Sequence, residues 1–185
     1  MLTHFDQHLF LLLNQHHAPW LDEVMFYLST KWLAIPLYAV AAYIIYKKQP
    51  IHFWWILLSF LVLIVLSDQV SGMIKHTIQR LRPCHQPDLQ SYIHLVKNHC
   101  GGKFGFYSSH ASNTAAFVVL FSAISNNIRF SVFLVVWCAL VGISRIYLAA
   151  HFPLDILAGW LAGSFLAATI YYFLQRFVLY KNGKN

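Results

Sequence analysis

Long apolar runs separated by short polar segments constrain the fold of this chain more than any other feature. The clearest run, FWWILLSFLVLIVL, begins at Phe53 and carries no charged residue. Only 10% of the 185 residues are charged, whereas soluble domains carry roughly a quarter. A chain of this composition cannot cover a water-facing surface, so the apolar runs predict membrane-embedded helices.

The runs predict five transmembrane helices, each bounded by polar or turn-forming residues. We expect them at about residues 24–46, 51–79, 110–125, 130–147 and 154–174. Residues 1–17 are apolar but interrupted by Asp6, Asn14 and four histidines, so they predict an amphipathic helix in the membrane interface. No Gly/Ser-rich or Pro-rich linker interrupts the chain, and residues 1–185 are predicted to form a single all-α domain, a polytopic membrane helix bundle.

The basic residues lie in the gaps between apolar runs, although the net charge of +7 would suggest nucleic acid binding in a soluble protein. We therefore expect a phosphate-bearing lipid as partner and no nucleic acid. One predicted side of the membrane holds six basic residues and no acid: Lys47, Lys48, Arg129, Arg176, Lys181 and Lys184. The positive-inside rule makes that side cytoplasmic, so residues 81–107 and 149–153 are predicted to face outward together.

The first polar cluster lies at the end of the second predicted span. Lys75 and Arg82 are seven residues apart, almost two helical turns, so on a continuous helix both would project from one face. Asp68 extends the same stripe and could pair with Lys75. Two cations on one face can hold phosphate oxygens between them. Either residue alone could instead place its charged group among lipid headgroups.

The second cluster, Tyr107-Ser108-Ser109-His110, opens the third predicted span. Serines at such a position act first of all as helix N-caps. The free N–H groups of a helix N-terminus also bind anions, and His110 could donate a proton to a leaving oxygen. The tetrapeptide therefore fits both a cap and a phosphate site.

The third cluster joins the fourth and fifth predicted spans. Pro153 fits the first turn of a helix, which puts His151 just before the fifth span and Asp155 in its first turn. A carboxylate on one imidazole nitrogen fixes the tautomer and leaves the other nitrogen free as a nucleophile. Taken alone, the pair could equally be a capping arrangement.

Together, the patterns K-x6-RP, S-x-H and SR-x5-H-x3-D resemble the signature of the type 2 phosphatidic acid phosphatase (PAP2) superfamily. The resemblance implies a PAP2-like membrane bundle that hydrolyses lipid phosphates through a phosphohistidine. It implies that His151 is the nucleophile, that Asp155 orients it and that His110 protonates the leaving group. The residues that it implies for phosphate binding are Lys75, Arg82, Ser108, Ser109 and Arg145.

One motif departs from the family, whose second pattern is usually PSGH. Tyr107 replaces the proline and Ser109 replaces the glycine, so the geometry of the backbone amide at Ser109 is expected to differ. The family needs no metal, and no carboxylate cage or histidine cluster at ligand spacing is evident. We therefore expect neither a metal nor a cofactor.

The resemblance favours undecaprenyl pyrophosphate as substrate, because small bacterial members of similar length recycle this carrier at the outer face of the inner membrane. Phosphatidylglycerol phosphate, phosphatidic acid and the phosphates of lipid A are the alternatives. A transporter would spread ionisable residues through the membrane depth, whereas here they crowd one end. A non-catalytic lipid-binding protein would have lost part of the residue set. The sequence predicts no oligomeric state.

Two cysteines, Cys84 and Cys100, flank the predicted outward loop. In an oxidising compartment they could form a disulfide that pins the loop over the site. Two free thiols fit the sequence equally well.

Overall fold

A computed structural model describes residues 2–98 and 100–179 of the chain, apart from the side chains at positions 2, 3 and 31. Lys181 and Lys184, which the orientation argument uses, lie outside the described residues. The α-helices of the described part follow in this order: α1 (Leu2–Asn14), α2 (Pro19–Leu28), α3 (Lys31–Lys48), α4 (Phe53–Ile78), α5 (Ser109–Ser125), α6 (Ile128–Tyr147) and α7 (Pro153–Leu174). A π-helical turn, Gln175–Leu179, continues α7. The predicted all-α fold class is confirmed.

Local sequence signals fix several helix boundaries. The Ser108 hydroxyl caps α5 by accepting a hydrogen bond from the backbone N–H of Ala111 at 3.4 Å, as expected of a serine there. Pro153 opens α7, where its fixed φ suits the first helical turn. Asn126 ends α5 in the left-handed region with φ 47°, a conformation that asparagine tolerates better than most residues.

Within the described residues, three helical segments are long and apolar enough to cross a membrane: α4, α6 and the segment Pro153–Leu179. A fourth is added if α2 and α3, which meet at a bend of 47°, count as one broken span. The predicted number of five is not confirmed. The reason lies partly in α5, which has 17 residues, whereas a helix needs about 20 to cross the hydrocarbon core.

The short helix α5 lies in the centre of the bundle and packs against α3, α4, α6 and α7. Two glycines let α7 approach it closely, as the GxxxG spacing indicates. A Cβ atom on Gly159 would lie 2.7 Å from the carbonyl oxygen of Ser108, and one on Gly163 would overlap the backbone of Ser112. The close contact fixes the N-terminal turn of α5 relative to that of α7.

The N-terminal helix α1 buries two polar side chains and one phenylalanine, Phe10, against the protein, whereas His4 and His8 are exposed. Asp6 and Asn14 are buried, whereas Phe5 is 65% exposed and Leu12 is also exposed. The helix packs against α6 and α7. Asp6 and Asn14 are therefore part of the protein interior.

The segment between α4 and α5 is an ordered cover built from three short 3-10 turns, Pro83–His85, Pro87–Leu89 and Val96–Asn98. An isolated β-bridge between Leu81 and Phe104 closes its base. A disulfide joins Cys84 to Cys100, whose Cα atoms are 6.0 Å apart. The structure thus selects the disulfide from the two possibilities that the sequence left open.

Candidate active site

His151 and Asp155 meet at the start of α7, as the third motif predicts. His151 is 1% exposed and Asp155 is 0% exposed. The Nδ1 atom of His151 lies 3.6 Å from Oδ2 of Asp155, and the same oxygen accepts a hydrogen bond of 3.0 Å from the backbone N–H of Phe152. The carboxylate therefore faces one edge of the imidazole and leaves the Nε2 edge free of it.

Three cations surround this histidine. Burial is the main reason why the pKa of His151 lies well below its ordinary range, and the positive charges of Arg145, Arg82 and Lys75 lower it further. Protonation would add a fourth positive charge in a buried place. The imidazole is therefore held neutral at physiological pH, with a lone pair available for nucleophilic attack.

Lys75 is held by a pair of serines between α4 and α5, of which Ser71 is buried and Ser109 partly buried. Its Nζ atom donates a hydrogen bond of 2.6 Å to Oγ of Ser109, which is 2.7 Å from Oγ of Ser71. The expected pairing of Lys75 with Asp68 is wrong for the described side chains. Asp68 instead accepts a hydrogen bond of 2.9 Å from the side-chain amide of Asn113.

Arg82 reaches the site from the loop and not from the face of α4 on which the spacing put it. The prediction of one helix face is wrong because α4 ends at Ile78, and Gln79 adopts a left-handed conformation with φ 53°. Arg82 then follows the loop, where its Nε donates to the carbonyl oxygen of Phe104 at 3.2 Å. Burial lowers the pKa of Arg82 and Asp155 offsets part of that effect, so the guanidinium remains a cation.

Gly105 allows the loop to pass directly over His151 and Asp155. A Cβ atom at this position would lie 3.1 Å from Oδ2 of Asp155, 3.1 Å from Cγ of Arg82 and 3.5 Å from Nδ1 of His151. Its backbone N–H donates a hydrogen bond of 2.8 Å to the carbonyl oxygen of Arg80. The glycine therefore closes one side of the site without a side chain.

Ser108 is fully buried, and its contacts are structural. Besides capping α5, it donates its backbone N–H to the carbonyl oxygen of Asp155 at 3.1 Å, which ties the first turns of α5 and α7 together. The structure thus brings all eight residues of the predicted site to one end of the bundle. Ser108 lies there as a cap, while Ser109 supports Lys75.

His110 and Arg145 line a cavity of about 300 Å³. Its walls come from the bend between α2 and α3, from the loop and from the end of α6. The Nη1 atom of Arg145 donates a hydrogen bond to Oγ of Ser29 at that bend. Apolar side chains such as Val96 and Leu148 also line this cavity, and His151 is not among its lining residues.

Sequence reasoning missed two residues that complete the site. Arg80, one of the unassigned positions in the first motif, donates from Nη1 to Oδ1 of Asp155 at 2.6 Å. Its Nη2 pairs with Asp6 of α1. The available signal was Asp6, the one acid in residues 1–17, because a buried acid requires a partner.

Two other features of the described residues lie outside this arrangement. Ligand atoms of Cys84, His85 and Cys100 lie within 4.8 Å of one another, but the two sulfurs are joined in a disulfide and supply no thiolate. A larger cavity of about 540 Å³ opens between α3, α4 and α5 and is lined mainly by aliphatic and aromatic side chains. It carries no group for phosphate chemistry.

Comparison with known proteins gives a consistent family. The PAP2 superfamily profile matches residues 53–179. The lipid A 4′-phosphatase of Bacteroides thetaiotaomicron is 30% identical over 179 residues, which cover 94% of this chain and 78% of the relative. The lipid A 4′-phosphatase of Porphyromonas gingivalis is 33% identical over 168 residues, covering 90% and 71%.

A solved structure shows the same fold. The crystal structure of a transmembrane PAP2-type phosphatidylglycerolphosphate phosphatase from Bacillus subtilis superposes with a TM-score of 0.72 at 22% identity. The superposition covers 95% of this chain and 87% of that one. The predicted PAP2-like bundle is therefore confirmed.

Proposed function

The chain belongs to the PAP2 superfamily, is an integral membrane protein and a hydrolase of phosphate esters, and from that premise we propose that it dephosphorylates a membrane lipid through a histidine nucleophile. The observation that carries the proposal is the buried His151, whose Nδ1 lies 3.6 Å from the carboxylate of Asp155 and whose pKa is lowered by burial and by three nearby cations. Burial among cations keeps the imidazole neutral and leaves one nitrogen with a free lone pair. This arrangement suits a nucleophile that attacks an anionic phosphorus centre.

The first step forms a covalent intermediate. The Nε2 lone pair of His151 attacks phosphorus, and the bond between phosphorus and the lipid oxygen breaks. The charge of the bound phosphate offsets the surrounding cations, so that His110 can carry the proton that it gives to the leaving oxygen. The lipid then departs as an alcohol or as a monophosphate. Asp155 stabilises the positive charge that develops on the imidazole.

The second step releases the phosphate. His110, now neutral, takes a proton from water, and the oxygen of that water attacks the phosphohistidine. The bond between phosphorus and nitrogen breaks, inorganic phosphate leaves and His151 returns to its neutral state. Lys75, Arg82 and Arg145 balance the negative charge on the phosphoryl oxygens in both steps, because phosphoryl transfer depends mainly on positioning and charge stabilisation.

The substrate that we put first is a phosphate ester of lipid A, because the two relatives described above carry that activity in their names and align over most of this chain. Undecaprenyl pyrophosphate, which the sequence resemblance favours, remains the second candidate. Both present an anionic phosphoryl group at the membrane surface and an apolar anchor, so the same residues can act on either.

We place the site at the outer face of a bacterial inner membrane, with α5 and the broken α2–α3 pair completing a five-span topology. The Cys84–Cys100 disulfide supports this orientation, because disulfides persist in the periplasm and not in the cytoplasm. The basic residues at the opposite end of the bundle support it as well.

The test is phosphate release by the detergent-purified protein and by a His151→Ala variant. The panel contains lipid A, undecaprenyl pyrophosphate, phosphatidylglycerol phosphate and phosphatidic acid, each with and without EDTA. We expect release that withstands EDTA and is lost in the variant, with the fastest turnover on lipid A. Equal release by the variant would refute the histidine mechanism, and faster turnover of undecaprenyl pyrophosphate would reverse the ranking of substrates.

A further inference from the structure

The N-terminal helix α1 contributes a buried carboxylate to the neighbourhood of the site. Asp6 is 1% exposed, and each of its oxygens has a partner. Oδ1 accepts a hydrogen bond of 2.9 Å from the backbone N–H of Leu154, in the first turn of α7. Oδ2 pairs with Nη2 of Arg80. Asp6 thus contacts the two segments that carry the orienting acid and its cation.

Arg80 is fixed from several directions. Its guanidinium bridges Asp6 and Asp155 and lies over the ring of Phe152 at 4.4 Å. Phe10 of α1 packs edge-on against that ring, with centroids 5.4 Å apart. A planar guanidinium with two donors in a fixed fork can hold two carboxylates in one geometry, which a lysine cannot do.

Because of this bridge, the two oxygens of Asp155 have different partners. Oδ1 is bound by Arg80 at 2.6 Å, so Oδ2 is the oxygen that faces His151. Asp6 also forms an ion pair with the guanidinium, which would otherwise pair with Asp155 alone. A bridge of two acids and one cation leaves a net negative charge beside the imidazole, and this charge favours the positively charged imidazole of the transition state.

We propose that Asp6 is a positioning residue for phosphate transfer, which acts through Arg80 to fix the oxygen of Asp155 that faces His151. The inference rests on the proposed function, since it concerns the same histidine. It makes α1, which lies outside the three motifs, part of the catalytic apparatus.

The competing explanation is that Asp6 only docks α1 onto the bundle. The chain offers a matched control for docking in Asn14, at the other end of the same helix. Asn14 is fully buried, and its amide nitrogen donates to the carbonyl oxygens of Tyr147 at 2.7 Å and of His94 at 3.0 Å. Asn14 has no described contact with Arg80, His151 or Asp155.

The experiment measures kcat and KM for the intact chain and its Asp6→Asn, Asn14→Ala, Arg80→Gln and Asp6→Asn/Arg80→Gln variants, on the best substrate of the panel. We expect kcat to fall by up to about 100-fold in Asp6→Asn, with KM little changed, because the substrate phosphate is not contacted. Asn14→Ala is expected to lower the melting temperature while kcat stays close to that of the intact chain. The double variant is expected to be no slower than Arg80→Gln, because the two residues act in series.

Three results would overturn the proposal: a kcat for Asp6→Asn equal to that of the intact chain, equal losses in Asp6→Asn and Asn14→Ala, or fully additive losses in the double variant. Should Asp6→Asn fail to fold, Arg80→Lys serves in its place. A lysine keeps the charge but cannot bridge both acids, so kcat should fall at constant KM, and an undiminished kcat would overturn the proposal.

The intact chain and His151→Ala are run in the same assay to separate the two proposals. Activity that is lost in His151→Ala but retained in Asp6→Asn would overturn only the role of Asp6. Absence of release by the intact chain from every lipid would overturn the proposed function and this inference with it.

Discussion

The two ends of the helix bundle are built from the same helices but stabilised by different interactions. At the site end, polar side chains are buried, and every ion pair found between described residues lies there. Farther along α4 and α5, the interior is an apolar cluster around residues such as Leu63, Leu120 and Phe121. Directional bonds fix atoms to fractions of an ångström, whereas apolar packing fixes volumes and tolerates rearrangement.

Because of this difference, substitutions at the site end should affect chemistry, and substitutions in the apolar cluster should affect stability. A side chain at the site end has one or two specific partners, so its loss changes the position or charge of a reacting group. A side chain in the apolar cluster has many interchangeable neighbours. Its loss should lower the melting temperature and leave turnover per folded molecule unchanged.

The largest effect is expected for His151→Ala. Removal of a nucleophile lowers kcat by about 10,000-fold or more, and the melting temperature should change little. Leu63→Ala, in the apolar cluster, is the matched comparison. It should cost about 2 kcal/mol of stability at unchanged kcat, near the lower end for buried leucines, because lipid is as apolar as the side chain. A large loss of kcat in folded Leu63→Ala would contradict the division between the two regions.

Gly163→Val should affect both regions, because this glycine lies where α7 touches α5. Its new side chain would overlap the backbone of Ser112 and force the helices apart, at a cost of about 3 kcal/mol. We expect a lower melting temperature together with a lower kcat in the fraction that folds. Gly72→Val, at a glycine whose Cβ would meet no atom within 4 Å, is the control and should keep its kcat.

Removal of the disulfide should lower the stability of the loop that covers the site and weaken substrate binding. Cys84 and Cys100 close a loop of 16 residues, and such a link stabilises by up to about 3 kcal/mol. In a Cys84→Ala/Cys100→Ala variant, KM should rise more than kcat falls, because the loop covers the site but leaves α4 to α7 in place. Mild reduction of the intact chain should reproduce the change, and a variant with unchanged KM would argue against a cover.

The smallest effect is expected from pH. The pKa of His151 is lowered in the folded protein by burial and by Arg145, Arg82 and Lys75, while Asp155 faces its other edge. Below about pH 6.5 the unfolded chain therefore binds a proton that the folded chain excludes, so stability should fall as the pH falls through that value, by at most about 1.4 kcal/mol per pH unit. Melting curves between pH 7.5 and 5.5 should show a shallower decline for His151→Gln. Equal slopes would mean that the folded histidine takes up the proton normally.

Local patterns predicted the parts of the site that depend on neighbouring residues. The capping serine at position 108, the opening proline of α7 and the placement of His151 beside Asp155 all follow from helix-terminus chemistry within a few residues. The departure at Ser109 was visible too, but its consequence was not. Only packing against α4 shows that its hydroxyl holds Lys75.

The parts that the sequence could not predict depend on distant or non-local contacts. Neither Gly nor Pro marks the left-handed turn at Gln79 that ends α4, so the helical spacing of Lys75 and Arg82 was misleading. The bend at Ser29 lacks such a marker as well. Asp6 meets Asp155 through Arg80 across most of the chain, and no short pattern can report a contact of that separation.

The position of Asp6 on α1 has a practical consequence for handling the protein. A fusion partner attached directly before α1 would lie a few residues from the carboxylate that holds Arg80. We expect it to displace that helix. The far end of α7 lies about 33 Å from His151 by helix length. A tag is better attached on that side. A lower kcat for the fusion before α1 than for the fusion after α7 would show that the position of α1 affects turnover.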